Sequence, residues 1–588
     1  PVLLASAKVR SNISMTNSSS TEKFSKSKNR KLLWLLILSR GGFALGGLLL
    51  VGISVGIWRL QSFIQQDLAP LVEKNLTNII ARPLELGEVE GFSLSGVKFG
   101  ASAIPVTATD ADQVKVDAIE VGFDPLQLLF NRRLKLDITL VNLVGYNDQD
   151  QQGRWITTNI VLPEEPGVIA IDVDKVRLRS GNVSLKPFVE NKKVSPKVVF
   201  SQLNGYGRFS DNYQVVGFEV GGQPGRIGNV SVRGKVNLKN KAGNLQIQAA
   251  DLLASEVTPL VKLPVRLKGG KINGNLRVKL PNEEEKEPLL YGNARVEGLD
   301  FQVARMPKPL VNSQGNLQFD GTKVKLNDVV TSYGKIPLSG GGTIDFNRGY
   351  NLTARVNAVS VNDTLQSLNL QSPLPVGGVV KGDLSMTGAI TKPVISGIVS
   401  TVKTGIVDKV KVKTASGKFD FVTADSTVTF RDIRGTAAVG GDVRGGGKIL
   451  IGDDRIGRKT QVNFNFRTGN APGDSFANIY NIPTGSFQVG NVAATANLSG
   501  TPETLRTLVK FNAQKATYPA TGEVIDNREG DSEAERSLSF RDVALTVAGG
   551  TALASGSWNQ QRWQVVANTK GIKINQFVSK EQLEKINL

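Results

Sequence analysis

The feature that most constrains this chain is a two-residue alternation of apolar and polar side chains, unaccompanied by long helical patterns. Leu134, Leu136, Ile138 and Leu140 alternate with Arg133, Lys135, Asp137 and Thr139, which places an apolar row and a polar row on opposite faces of a strand. Ile169, Ile171 and Val173 repeat the pattern. After a slip of one at Lys175, Val176 and Leu178 alternate with Arg177 and Arg179, and such a slip predicts a β-bulge. One-sided strands need their apolar face covered. Between Leu84 and Leu588 the short helical candidates, Pro125 to Phe130, Thr258 to Val261 and Thr504 to Leu508, are too few to coat such a sheet. The strands must close on themselves as sandwiches or barrels, or curl into a trough whose apolar interior holds something else; pattern alone does not choose.

Composition removes most enzymatic options. The chain has no Cys and no His, so it offers no disulfide, no thiolate nucleophile, no Cys-ligated metal and none of the usual proton shuttles near neutral pH. The densest acidic run, Glu283 to Glu287 interrupted by Lys286, lies between Pro281 and Pro288 and reads as a solvated loop. Gly440 to Lys448 invites comparison with a phosphate loop, but the Walker spacing needs Gly at 442 and Ser or Thr at 449, where Asp442 and Ile449 stand. No catalytic, cofactor-binding or metal-binding residue is assigned, and the chain reads as a non-enzyme.

The N-terminal region carries a membrane signal. Eight of the Lys and Arg residues fall within residues 1–40 against Glu22 alone, and they precede an apolar run. Leu32 to Leu38 is apolar, Ser39 and Arg40 interrupt, and the stretch from Gly41 to Trp58 then holds no charge at all. The whole run is long enough to cross the hydrocarbon core as a helix, with Arg40 reaching toward the headgroups. The anchor residues are Gly41, Gly42, Gly46, Leu48, Leu49, Leu50, Val51, Ile53, Val55, Ile57 and Trp58. The positive flank puts the N-terminus in the cytoplasm, or the stroma of a plastid, with everything after Trp58 exported. No A-x-A-like cleavage site follows, so the segment reads as an uncleaved signal-anchor. The basic residues are not interleaved with aromatics, which argues against nucleic acid as a partner. Met15 is expected to be the natural start, with residues 1–31 a disordered basic tail.

Leu60, Phe63, Ile64, Leu68, Leu71, Val72, Leu76, Ile79 and Ile80 then follow the spacing of a helix with one apolar face over 59–83. Further on, Leu263-Pro264-Val265 leads to Gly274-Asn275-Leu276, Leu374-Pro375-Val376 to Gly382-Asp383-Leu384, and Ile482-Pro483-Thr484 to Gly490-Asn491-Val492. Gly274, Gly382 and Gly490 recur at one constant interval, and Pro288, Pro393 or Pro502 marks a turn in each unit. This divides the chain into an N-terminal β region over 84–262 and three β repeats over 263–373, 374–481 and 482–588. With about 40 strands at ~4.8 Å each, one continuous sheet would run on the order of 190 Å.

Leu86-Gly87-Glu88-Val89-Glu90-Gly91, Leu94-Ser95-Gly96-Val97-Lys98-Phe99-Gly100, Phe123-Asp124-Pro125-Leu126 and the 134–140 strand, in that order after a signal-anchor, resemble the N-terminal part of the TamB family. The likeness is to its cyanobacterial and plastid branch, whose plant members belong to the inner-envelope protein-import machinery; it is strongest over 32–188 and rests on pattern and repeat beyond. The resemblance implies an elongated, curled, repetitive all-β sheet with an AsmA-like apolar groove (a β-taco), preceded by one transmembrane helix and a short amphipathic helix. It implies anchoring in the inner membrane with the ectodomain in the periplasm or the plastid intermembrane space, phospholipid or unfolded outer-membrane protein as cargo, and an Omp85-type outer-membrane partner. The apolar rows at 134–140 and 169–178 become the expected cargo groove. Family members run longer and end in a C-terminal domain that contacts the partner, so the chain is expected to be a fragment or a truncated form. The alternative is a membrane-displayed structural or adhesive β-repeat protein with a filled core.

Overall fold

The computed structural model describes residues 82–124, 133–150, 170–188, 197–260, 265–282, 288–303, 308–529, 536–559 and 562–573, apart from isolated positions within these spans. The chain divides into Pro1–Leu76 and Thr77–Leu588. The expected tail and anchor, and nearly all of the expected amphipathic helix, lie outside the described residues; among the described residues no helix is long and apolar enough to cross a membrane.

The second unit is all-β, built among the described residues on a single sheet of 32 strands from Val89–Ser93 to Arg562–Lys570. Almost every strand pairs antiparallel with its neighbour in sequence, as short hairpin connections dictate. Ala170–Lys186 is the exception: it runs parallel to Arg133–Val141 and to Val144–Asp148. In that pairing Leu136 faces Val173 and Asp137 faces Lys175, so Asp174 is the extra residue of a bulge, where the alternation slips. Five strands, Ser102–Ile104, Gln113–Val116, Val144–Asp148, Val376–Gly377 and Gly405–Val407, continue a neighbour across a break. The remaining 27 of the 32 form one ladder, about 130 Å from first strand to last at ~4.8 Å per step. The expected count of about 40 was too high because the strands are long: Ala170–Lys186 has 17 residues and Val265–Leu280 has 16, against about 5–6 in an ordinary strand.

The sheet is elongated and uncurled, which corrects the expected curl into a trough. Val89–Ser93 and Arg562–Lys570 each pair on one side only, so no strand pairing closes the sheet, and neither a barrel nor a second sheet to make a sandwich is present among the described residues. Hairpins add strands in one direction, and nothing obliges the ends to meet. The strands are nevertheless bent locally. Ser180, Gln202, Asp251, Asn312, Asp328, Asp432 and Asp542 adopt positive φ beside register shifts in their ladders. Short polar side chains tolerate that conformation better than β-branched ones, and each bulge kinks its strand.

Three short α-helices interrupt the ladder among the described residues: Ala254–Val257, extended by a 3₁₀ turn over Thr258–Leu260, then Val361–Leu368 and Gly473–Ile479. Six strands of the main ladder separate each helix from the next, and six follow the last. An even number of antiparallel steps returns the chain to the same edge, so the helices recur along one edge about 29 Å apart. The helical expectation at Thr258 is met by the 3₁₀ turn, but Thr504 to Leu508 belongs to the strand Thr504–Ala513. There Thr504, Thr507 and Val509 favour the extended chain, and every residue pairs with Ala520–Glu529. Val361–Leu368 starts where Ser360 Oγ accepts the Asp363 N–H at 2.9 Å, an N-cap. Buried clusters lie near the first two helices: Ala254, Val296 and Leu299 at one, Tyr333, Ile336, Val356 and Val359 at the other.

A polar contact ties the third helix to the turn after Gly405–Val407. Tyr480 Oη, at its C-cap, donates to Asp408 Oδ2 at 2.8 Å. Burial first, and then the Asp408 carboxylate, push the phenol up to about 12. Tyr213, which donates to Asp172 Oδ1 at 2.7 Å, is likewise pushed up to about 12, again by burial first. Because the folded value lies above the ordinary one near 10, the contact contributes fully below about pH 10 and is lost as pH rises through about 12. In a titration followed by tyrosinate absorbance, two of the phenols are expected to ionise near pH 12. Tyr480→Phe and Tyr213→Phe should each remove one of them; a profile unchanged by either substitution would refute the assignment.

Candidate functional site

The sheet has two unlike faces, and the apolar one is the candidate site. At the N-terminal end it is densely covered: Val97, Phe99, Val116, Val121, Phe123, Leu134, Leu136 and Ile138 are all buried. Leu134 and Leu136 retain only 2% and 3% of their accessible surface. Leu140, Val173, Val176 and Leu178 are half-buried. The pairing sets Leu134 opposite Ile171, Leu136 opposite Val173, Ile138 opposite Val176 and Leu140 opposite Leu178. The parallel ladder therefore joins the two apolar rows into one patch, with Ile169 outside the described residues.

Further along the ladder the apolar face opens. Gly397, Phe419, Phe430, Gly447 and Phe464 face one another in turn across five strands. The rings of Phe419 and Phe430 lie 6.2 Å apart, those of Phe430 and Phe464 5.7 Å, and those of Phe464 and Phe466 5.9 Å and parallel. Phe419, Phe430, Phe464 and Phe466 are half-buried. No layer is stacked on them among the described residues, so their burial comes from lying against neighbouring strands and one another. Gly447 makes this possible, because a Cβ there would collide with the Phe464 ring. The ring lies flat over the glycine backbone and the floor of the face stays thin.

Such a face can shield apolar groups from water. Soluble proteins rarely expose continuous apolar surface beyond a few hundred Å² unless it binds something. The aromatic row lay outside the sequence-predicted site residues. Its members sit singly in four places, at 419, 430, 464 and 466, and only the cross-strand register assembles them. Elsewhere, the titratable groups that come together are ion pairs and turn contacts. Arg82, for example, donates to the carbonyls of Pro105 and Asp112 at 2.9 and 2.7 Å and pairs with Asp110 at 3.4 Å. Asp112 accepts from Asn147 and from the Asp148 N–H, both at 2.8 Å, and its carboxyl is raised by burial. No group of three or more carboxylates able to hold a metal occurs among the described residues.

The chain is similar to two chloroplast proteins. It is 22% identical over 395 residues to Protein TIC236, chloroplastic, of Arabidopsis thaliana, covering 59% of this chain and 18% of that protein. It is 22% identical over 404 residues to Protein SUBSTANDARD STARCH GRAIN 4, chloroplastic, of Oryza sativa subsp. japonica, covering 61% of this chain and again 18% of the relative. No family model matches the chain, and no solved structure matches it. The matched region thus spans less than a fifth of the length of either relative.

Proposed function

We propose that this chain is a non-enzymatic envelope protein, held in the inner membrane by residues 32–58, whose open apolar face carries acyl chains or unfolded outer-membrane strands across an aqueous gap. The observation that carries this reading is the half-buried row of Phe419, Phe430, Phe464 and Phe466, left without a covering layer among the described residues. The hydrophobic effect supplies the motive, since apolar cargo lying on that face is removed from water at each step. Bulges that already kink the strands allow the sheet to bend around a cargo, which is where the curled groove implied by the family resemblance enters. An Omp85-type partner at the outer membrane follows from the same resemblance. Similarity to two chloroplast proteins supports a plastid as the setting.

Photo-crosslinking of the membrane-anchored chain tests this, with a photoreactive residue at Phe430 or Phe464 and controls at Lys448 and Asn463 on the other face. Phospholipid adducts at the two aromatic positions alone would identify acyl chains as cargo, and adducts to outer-membrane protein at those positions would identify unfolded strands. Equal labelling of both faces, or labelling of neighbouring strands only, would sink the proposal.

A further inference from the structure

The opposite, polar face carries a feature that the apolar-cargo reading does not use. Arg434, Arg444 and Arg467 stand directly opposite one another on three adjacent strands, Thr427–Ala437, Asp442–Leu450 and Gln461–Pro472. The row continues through Thr495 to Lys510 on the next two strands. Steps of about 4.8 Å separate the strands, and like charges directly opposite each other destabilise a sheet. A hairpin register that stacks three guanidiniums is therefore unfavourable unless an anion joins them.

The nearby carboxylates do not play that part. Asp432 pairs with Lys418 at 2.9 Å, and that lysine, ahead of a weaker pull from Arg434, holds its carboxyl below the usual range. Glu523 pairs with Lys510 at 2.6 Å, and Asp442 accepts from Thr436 Oγ1 at 2.7 Å. Among the described residues the side chains of Arg434, Arg444 and Arg467 have neither an ion pair nor a hydrogen bond, and all three are exposed. Two adjoining open hollows, of ≈ 580 and ≈ 710 Å³, lie along this row, and both are lined by Arg444, Arg467, Thr495 and Lys510. Some exposed cations of the sheet are paired with an acid across the strand, as Arg355 is with Asp383 at 3.0 Å. What sets the three arginines apart is that they stack directly opposite one another where the surface is hollowed.

We propose that the hollow over Arg434, Arg444 and Arg467 is a binding site for a phosphate-bearing anion. Planar guanidiniums offer paired N–H donors that match phosphate oxygens two at a time, and a row of three spans a phosphate with a donor pair on either side. The same chemistry fits a free phosphate and the headgroup of an anionic phospholipid.

The test uses the full chain in neutral detergent at low salt, with three proteins: wild type, R434Q/R444Q/R467Q, and R277Q/K381Q/K413Q, which removes equal charge elsewhere on the sheet. Inorganic phosphate is the first probe, in equilibrium dialysis. Nanodiscs of phosphatidylglycerol, against phosphatidylcholine, are the second. The arginine-row variant is expected to lose affinity by about tenfold or more, equivalent to about 1.4 kcal/mol of lost charge-assisted bonding, while the control variant keeps it. Hydrogen exchange should slow on anion addition within 427–450 and 461–472 only. Dependence on the arginine row with inorganic phosphate assigns a soluble anion, and the same dependence with phosphatidylglycerol alone assigns a headgroup. Equal losses in both variants, no binding by wild type, or the same protection from chloride at equal ionic strength would overturn the site. Should the triple variant lose its exchange protection without ligand, R444Q, the middle rung, takes its place and is held to the same comparison.

Discussion

Leu134→Ala is expected to destabilise the N-terminal end of the sheet by about 2–5 kcal/mol, the cost of emptying a fully buried leucine site. Leu134 is among the largest fully buried side chains, with 2% of its surface accessible. Its strand is hydrogen-bonded on one side to Ala118–Phe123 and on the other to Ala170–Lys186, so the surroundings cannot easily collapse into the void. The loss should also stay local. In a sheet where each strand touches only its neighbours, stability is close to a sum of nearest-neighbour terms. Hydrogen exchange should therefore accelerate across 118–123, 133–141 and 170–178 while strands beyond Val265–Leu280 keep their protection. Uniform acceleration along the whole ladder would show one cooperative body and contradict this picture. Unchanged exchange would mean that the Leu134 site does not hold these strands together.

Phe464→Asp is expected to weaken binding of a fluorescent acyl-chain probe by about tenfold or more, at a local cost in sheet stability of about 1–3 kcal/mol. Burying a phenylalanine against apolar cargo is worth about 1.5–3 kcal/mol, and a carboxylate in its place must be desolvated by any acyl chain laid over it. A tenfold change in affinity needs only about 1.4 kcal/mol. The fold tolerates the change because Phe464 is only half-buried; what it loses is ring packing on Phe430 at 5.7 Å and Phe466 at 5.9 Å, about 0.5–1.5 kcal/mol per pair. Asn463→Asp, which puts the same charge on the opposite face, is the control and should leave probe affinity within about twofold. Equal loss in both variants would point to net charge, and no loss in either would remove the aromatic row from cargo binding.

The two unlike faces could be read from particular residues. Leu134, Leu136 and Ile138 alternate with charged residues because a pleated strand sends successive side chains to opposite sides, and all three are buried. The slip at Lys175 marked the bulge at Asp174, since an extra residue shows as a break in an otherwise strict period of two. The helix Val361–Leu368, capped by Ser360, was not expected from the sequence. What misled at Thr504 was a short apolar spacing that suits either period, and pairing with Ala520–Glu529 settled it.

Local alternation, and with it an all-β chain whose strands have one apolar and one polar face, was determined by the sequence, because those properties depend on residues one or two apart. The assembly of rows across strands was decided only by the tertiary structure. Phe430 and Phe464 lie on strands with Asp442–Leu450 between them, and so do Arg434 and Arg467. Which of them meet depends on the register of the intervening hairpins, and a slip of one residue would send each to the other face. Whether an apolar row is covered or open is likewise not a local property. Leu134 and Phe464 both lie in alternating strands, yet the first is buried and the second half-buried, because burial is set by what the rest of the chain lays over each.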